Sequence, residues 1–221
     1  MLLESENKKS RHVLIAEGTG SRGESLVRAF TDRGATTAFF CRDRYKEALE
    51  LSRETGALNI KCNVFNRNSM EFAADVVKEF MEDRLDTLVC NILPELNREP
   101  PAEDWSKDRE SLMKNLDAVG FYLQTMLPLM VEGGSVIVLL QSGDSGRETS
   151  EPMSLVENML QSALKGMIQS LARSLRDKRI RVNGLLLSNR EEAEAELELG
   201  GTVRFLASRD AEGIAGQLIQ M

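Results

Sequence analysis

The chain has 221 residues, the length of one domain of ordinary size, and 42% of them are hydrophobic, enough for one buried core. Its 35 acidic and 28 basic residues leave a net charge of −7, which argues against a nucleic-acid-binding surface and against a basic membrane-binding face. Three cysteines are too few for a disulfide framework and too scattered for a zinc site, and no run reaches the roughly 18 apolar residues of a membrane span. We therefore expect a single cytoplasmic domain, residues 1–221, with no metal site and neither nucleic acid nor membrane as a partner.

Short apolar runs alternate with longer amphipathic stretches along the whole chain. The apolar runs predict seven strands, at His12–Ala16, Thr37–Cys41, Asn59–Val64, Thr87–Leu93, Ser135–Leu140, Arg181–Leu187 and Gln217–Gln220. The amphipathic stretches predict helices at 24–33, 44–55, 68–83, 106–131, 152–176 and 200–208. Strands that alternate with such helices indicate an α/β, Rossmann-type doubly wound parallel sheet with helices on both faces.

Three irregular segments separate these elements: Pro94–Glu103, Gln141–Glu151 and Ser188–Glu198. In an open α/β sheet the ligand crevice lies at the carboxyl ends of the strands, so we expect a functional site to be built from these segments. The third is mostly charged, and a solvated loop or helix is its favoured interpretation.

The turn after the first predicted strand carries Gly18, Gly20 and Gly23 in the spacing Gly-x-Gly-x-x-Gly. Between a strand and a helix this pattern is typical of dinucleotide binding, because glycines let the backbone approach a pyrophosphate at the helix N-terminus. The alternative is that the glycines only form a tight turn. Glu17 opposes binding, since a carboxylate about 4 Å from a pyrophosphate oxygen would repel it by about 4 kcal/mol at an effective dielectric constant of 20.

Two arginines, Arg42 and Arg44, follow the second predicted strand. An acidic residue at this point would bind the ribose hydroxyls of a dinucleotide, whereas an arginine accommodates a 2′-phosphate. If a dinucleotide binds, the sequence therefore favours NADP(H) over NAD(H).

Several motifs resemble the short-chain dehydrogenase/reductase family, and together they span nearly the whole chain. They are Leu85–Asn91, Lys114–Leu116, Leu127–Met130, Gly133–Val138, Ser170–Ala172, Ile180–Asn183, Val203–Ser208 and Ile214–Gln217. The resemblance implies the strand order 3-2-1-4-5-6-7 and an NAD(P) cofactor.

The positions at which the family binds its cofactor are altered in this chain. Only Gly23 keeps the register of the family's glycine motif, and Asn63 stands where the family has an aspartate that contacts adenine. Asn91 lies in Cys-Asn-Ile-Leu, where the family has Asn-Asn-Ala-Gly. The resemblance therefore implies either no bound cofactor or weakly bound NAD(P), with Gly18, Gly20, Gly23, Arg42, Asn63 and Asn91 as the candidate contacts.

Most of the family's catalytic residues are also changed. The family's tyrosine and lysine, four residues apart on one helix face, correspond to Glu157 and Gln161, and the serine position falls at Gln141 or at the residue after it. Asn115 is retained. A carboxylate at position 157 lacks a neighbouring cation to organise it, because Lys165 is two helical turns away. We therefore predict no catalytic residue.

The chain has a shortened form of the family's substrate lid but keeps the two helices through which the family binds partner subunits. The substrate lid is shortened, since about a dozen charged residues separate the sixth strand from the next predicted helix. The helices at 106–131 and 152–176 keep broad apolar stripes, and in the family these two helices pair with those of another subunit in a four-helix bundle. Periodicity alone leaves open how much of each stripe is available to a partner.

Three functions follow as hypotheses. The first is a non-catalytic subunit that binds and stabilises a catalytic NAD(P)-dependent dehydrogenase through helices 106–131 and 152–176, or a chain that self-associates through them. It is similar in kind to heteromeric family members such as the dehydrogenase of benzylsuccinate β-oxidation, which acts on a hydroxyacyl-CoA thioester in anaerobic toluene degradation. The second is a divergent active NAD(P)-dependent oxidoreductase, and the third is a sensor that binds a dinucleotide without chemistry.

Overall fold

A computed structural model of the chain describes residues 10–92, 105–141, 154–187 and 192–221. Its strands form one parallel sheet in the order β3-β2-β1-β4-β5-β6-β7, which confirms the expected fold class and strand order. The strands are β1 (His12–Ala16), β2 (Thr36–Cys41), β3 (Leu58–Lys61), β4 (Leu85–Cys90), β5 (Met130–Gln141), β6 (Arg181–Leu187) and β7 (Leu218–Gln220).

Helices cover both faces of this sheet. They are α1 (Gly20–Thr31), α2 (Tyr45–Thr55), α3 (Arg67–Phe80), α4 (Trp105–Met126), α5 (Leu155–Ser174) and α6 (Glu192–Ala207). Because strand side chains alternate, Leu14 of β1 packs with α3, α4 and α5, whereas Val13 and Ile15 pack with α1, α2 and α6. The two hydrophobic cores are therefore separated by the sheet itself.

Several element boundaries differ from the sequence prediction, three of them with a bearing on the candidate site or on the irregular segments. Helix α6 begins at Glu192 rather than at 200, because its first residues are the good helix formers glutamate, alanine and leucine. Strand β3 ends at Lys61 rather than at Val64, because the Asn63 side chain accepts a hydrogen bond from the Phe65 N–H and forms a turn there. Strand β5 begins at Met130, five residues earlier than predicted.

Two of the three irregular segments lie outside the described residues, namely all of Pro94–Glu103 and all of Gln141–Glu151 except Gln141. In the third, Ser188–Glu198, the residues from Glu192 onward form the start of α6. Four residues separate the end of β6 from the start of α6. Among the described helices, none combines the length and the apolar character that a bilayer-spanning segment needs.

Candidate functional site

The turn between β1 and α1 packs its glycines against the protein itself. A Cβ on Gly18 would lie 2.5 Å from the side chain of Phe39, and a Cβ on Gly23 would lie 2.5 Å from the carbonyl oxygen of Glu17. Gly20 has a φ of 77°, in the left-handed region that favours glycine. Each of the three glycines is thus required by the shape of the turn, whether or not a ligand binds there.

Glu17 and Asn91 hold this turn against the end of β4. The Asn91 side chain is 3% exposed, and its amide nitrogen donates a hydrogen bond of 2.8 Å to the carbonyl oxygen of Glu17. Glu17 has a φ of 55°, which costs a non-glycine residue about 1–2 kcal/mol. Asn91, predicted as a cofactor contact, therefore uses its amide donor on the turn.

Two positive features meet at the start of α1. Thr19 occupies the N-cap position, but its side chain accepts no capping hydrogen bond, and the first turn holds no acidic residue. The Nη1 atom of Arg44 lies 3.8 Å from the point that a Cβ on Gly20 would occupy. Because a helix N-terminus attracts anions and a guanidinium does so as well, this end of α1 suits a phosphate group.

A second group of cations surrounds Phe65, just beyond β3. The guanidinium carbon of Arg42 lies 5.4 Å from the centre of the Phe65 ring, and the Nζ of Lys114 lies 5.1 Å from it. Arg42 also pairs with Asp43 at 2.7 Å, and Asn63 is exposed beside the ring. The structure therefore gathers Arg42, Asn63 and Phe65 at one edge, next to the turn that holds the glycines. Phe65 is not among the residues predicted from the sequence, although an aromatic residue in a polar loop directly after a strand was the available signal.

Glu157, which the resemblance assigns to the family's tyrosine position, caps its own helix. Its Oε2 atom accepts a hydrogen bond of 2.7 Å from the Ser154 N–H, and the Ser154 hydroxyl oxygen accepts one of 3.2 Å from the Glu157 N–H. This reciprocal pair is a capping box, which stabilises the first turn of α5. The spacing Ser-x-x-Glu was visible in the sequence and was not used to predict this role.

Two further positions that the resemblance assigns to catalytic residues, Asn115 and Gln161, carry amide side chains. Asn115 on α4 is buried and donates a hydrogen bond of 2.8 Å to the Ser111 carbonyl oxygen. Gln161, which the resemblance assigns to the family's lysine position, is 6% exposed, and its buried Oε1 accepts no hydrogen bond from the described part of the chain. A neutral amide neither takes up nor releases a proton, so neither side chain can replace a tyrosine or a lysine in acid–base chemistry.

Neither tyrosine of the chain is placed to act as a proton donor to a substrate. Tyr122 is fully buried, donates its hydroxyl hydrogen to the Val89 carbonyl oxygen at 3.1 Å, and has its pKa raised above the ordinary value by burial. Tyr45 opens α2, on the opposite face of the sheet from Glu157. The retained fold therefore surrounds a site without a phenol.

The residues present suit the phosphate-bearing nucleotide half of a dinucleotide but not its nicotinamide half. The start of α1 with Arg44 and the ring of Phe65 with Arg42 suit a phosphate-bearing nucleotide. Nicotinamide, when bound, would supply a hydride, but Glu157 and Gln161 do not provide the phenol and cation that would accompany it. Within the described residues, no group of three or more His, Cys, Asp or Glu side chains could hold a metal ion.

Known proteins share both sequence and fold with this chain. Isoepoxydon dehydrogenase patN of Aspergillus clavatus is 27% identical over 185 residues, covering 80% of this chain and 69% of the relative. Enoyl-[acyl-carrier-protein] reductase [NADH] FabI of Nostoc is 28% identical over 192 residues, covering 74% of this chain and 72% of the relative.

Solved structures superpose over most of the length. A double mutant of a short-chain dehydrogenase/reductase from Serratia marcescens gives a TM-score of 0.84 at 20% identity, with 96% of each chain covered. BdcA in complex with NADPH gives a TM-score of 0.78 at 23% identity, covering 96% of this chain and 92% of that one. Residues 18–188 match the family described as enoyl-(acyl carrier protein) reductase. The chain belongs to the short-chain dehydrogenase/reductase family.

Proposed function

We propose that this chain is a non-catalytic subunit that binds and stabilises a catalytic NAD(P)-dependent dehydrogenase through α4 and α5. The observation that carries the proposal is the use of Glu157 as a helix cap beside the neutral Gln161. These two positions would otherwise supply the proton-transfer pair of an active subunit. The seven strands and six helices of the fold are present among the described residues, so the change at these two positions is one of chemistry rather than of fold.

Helix α5 has an apolar face that the sheet does not cover. Leu160, Leu164 and Ile168 are buried against the sheet, whereas Leu155 is 58% exposed and Met159 is 38% exposed on another side of the helix. Ala163 and Gly166 continue this exposed side, and their small size allows close approach of a second helix. The neighbouring helix α4 adds Met113, which is 46% exposed. This surface supports a helix-paired interface with a partner subunit.

A hydroxyacyl thioester is the substrate class that we assign to the catalytic partner. The heteromeric dehydrogenase of benzylsuccinate β-oxidation acts on such a thioester, and the relative named FabI is an enoyl-[acyl-carrier-protein] reductase by its name. The proposed complex would oxidise a hydroxyacyl-CoA, such as (hydroxybenzyl)succinyl-CoA, with NAD(P) bound to the partner.

Co-expression with each short-chain dehydrogenase of its own genome tests this proposal. We expect a stable hetero-oligomer by light scattering, and faster NAD(P)-dependent oxidation of a hydroxyacyl-CoA by the complex than by the partner alone. Leu155→Arg combined with Met159→Arg should dissociate the complex without unfolding the chain, because both side chains are exposed. Phe72→Arg on α3, which is 68% exposed and outside the interface, is the control. A chain that stays monomeric or pairs only with itself beside every dehydrogenase contradicts the proposal.

A divergent active oxidoreductase is the second candidate, favoured by relatives that are a dehydrogenase and a reductase by name. It requires the Glu157 carboxylate to transfer a proton. In that case Glu157→Gln abolishes turnover by the isolated chain, whereas Ser154→Ala, which removes the cap and keeps the carboxylate, preserves it. Absence of turnover by the wild-type chain, or equal turnover by the Glu157→Gln variant, excludes this chemistry.

A further inference from the structure

The amino end of the sheet, opposite the candidate site, carries an open groove of about 2060 Å³ that we name the arginine groove. Nine of the chain's 19 arginines line it, against four carboxylates. The chain as a whole has a net charge of −7, so the residues that do not line the groove carry together a larger net negative charge than the chain itself.

Two of these arginines are withdrawn from solvent in the arginine groove, Arg181 almost fully and Arg11 in part. Arg181 is 7% exposed and donates hydrogen bonds to the carbonyl oxygens of Leu206 at 2.6 Å and Ser208 at 3.0 Å, at the end of α6. Arg11 donates to the Ala207 carbonyl oxygen at 2.5 Å. Burial lowers the pKa of Arg181, and the nearby charge of Arg11 lowers it further. Both cations are thus held by neutral carbonyls, and the nearby Glu212 carboxylate offsets only part of the lowering of the Arg181 pKa.

Four further arginines stand on the rim with their guanidinium groups in solvent. Arg33, Arg173, Arg176 and Arg209 are exposed and form no ion pair within the described residues. Arg173 lies in the last turn of α5, where a cation stabilises the helix C-terminus. That effect does not account for Arg11 and Arg181, which lie at the starts of strands.

The extent of the arginine groove decides the size of its ligand. Its lining runs from the residues before β2 to the residues before β7, across six neighbouring strands of the sheet. At about 4.8 Å between strands, this distance is about 24 Å, the length of about seven extended residues. Cations spread over such a distance do not converge on one phosphate, and the groove is larger than the roughly 300–1,000 Å³ of a small-molecule pocket.

The chemistry of the lining favours an acidic polypeptide over a nucleic acid as the ligand of the groove. The one aromatic side chain among the described lining residues is Phe30, which is 4% exposed and offers no platform for base stacking. A long polyanion would also extend beyond the groove along a chain whose other residues carry a net negative charge, which would repel it. Guanidinium groups pair with carboxylates in a two-pronged geometry. We propose that the arginine groove binds a short acidic segment of a partner polypeptide in extended conformation.

Fluorescence anisotropy with a labelled octaglutamate peptide tests the proposal on the full chain. We expect saturable binding that weakens as salt is added, because the contacts are between exposed charges. Arg173→Gln combined with Arg176→Gln should weaken binding about tenfold. The matched control is Lys46→Gln with Arg53→Gln, which removes the same charge from α2, outside the groove. Thermal unfolding of all variants shows whether each is folded.

Three results would overturn the proposal. The first is the absence of saturable peptide binding by the wild-type chain at low salt. The second is an equal loss of affinity in the α2 control, which would mean that net charge alone attracts the peptide. The third is tighter binding of an eight-nucleotide oligothymidylate or of tripolyphosphate than of the peptide, which would assign the groove to a phosphate ligand.

Discussion

Glu17 adopts a left-handed backbone conformation in the turn between β1 and α1, at the point where a dinucleotide pyrophosphate would approach. Glycine adopts this conformation at little cost, whereas a residue with a Cβ does not. The same residue places a negative charge next to the start of α1 and near Cys41 and Cys62, whose thiol pKa values it raises after the larger effect of burial. One substitution of Glu17 by glycine would remove both the strained backbone conformation and the negative charge.

Glu17→Gly should increase the free energy of unfolding by about 1 kcal/mol, because it relieves the left-handed strain. It should also tighten NADP(H) binding by about tenfold or more, because the repelling carboxylate is lost. Calorimetric titration with NADP(H) and NAD(H) and urea unfolding measure the two effects.

Glu82→Gly is the matched control for that substitution. Glu82 has a φ of 52°, lies outside the candidate site and is exposed, so its replacement should increase stability without changing affinity. If neither Glu17→Gly nor the wild-type chain binds a dinucleotide, the sensor and the active oxidoreductase are both excluded. A preference for NAD(H) would contradict the role assigned to Arg42 and Arg44.

Secondary-structure elements were predictable where the local pattern and the fold agree. The limits of β1 and β6 match the prediction at both ends, because each is an apolar run bounded by polar residues. The start of α6 did not match, because a charged helix and a charged loop have the same composition. The assignment of Glu157 and Gln161 to the tyrosine and lysine positions stays a prediction, and the hydrogen bonds that make Glu157 a cap required the helix to be located first.

The junction of α1 with the turn before it gives a prediction at the level of one element. Gly23→Ala should destabilise the chain by about 1–3 kcal/mol, because its Cβ would meet rigid backbone atoms of Glu17 and Gly18 at 2.5 Å. Gly201→Ala in α6 should stabilise it by about 0.4–1 kcal/mol, because nothing lies within 4 Å of the new Cβ. Urea unfolding of both variants measures whether each substitution lowers or raises the free energy of unfolding. A neutral Gly23→Ala would show that the turn does not pack against α1 as described.

Local sequence patterns predict the strand order of the molecule, but they do not predict which surfaces its elements leave exposed. The strand order follows from the alternation of elements and the family motifs, and the structure confirms it. The arginine groove could not be predicted, because its side chains come from helix ends and strand starts far apart in the sequence. The exposed side of α5 was equally hidden, since periodicity gives one broad apolar stripe and only packing divides it between the sheet and solvent.

The three cysteine thiols lie in both hydrophobic cores, so their ionisation depends on the folded state as a whole. Cys41 packs with α1, α2 and α6, whereas Cys62 and Cys90 pack on the opposite face of the sheet. Burial raises the pKa of Cys41 to about 11, and that of Cys62 and of Cys90 to about 12. In the unfolded chain the same thiols ionise near pH 8.5, roughly their ordinary value.

Above about pH 8.5 the unfolded chain therefore loses thiol protons that the folded chain retains, and the free energy of unfolding falls as pH rises. The contribution of each thiol is fully present below that pH and is lost at about 1.4 kcal/mol per pH unit up to its folded pKa. Urea unfolding under reducing conditions should show this decline between about pH 8.5 and about pH 10.5. Cys41→Ala should reduce the slope by about one thiol's share, while groups common to both proteins cancel in the comparison. Equal slopes for the variant and the wild-type chain would mean that Cys41 ionises as readily in the folded protein as in the unfolded one.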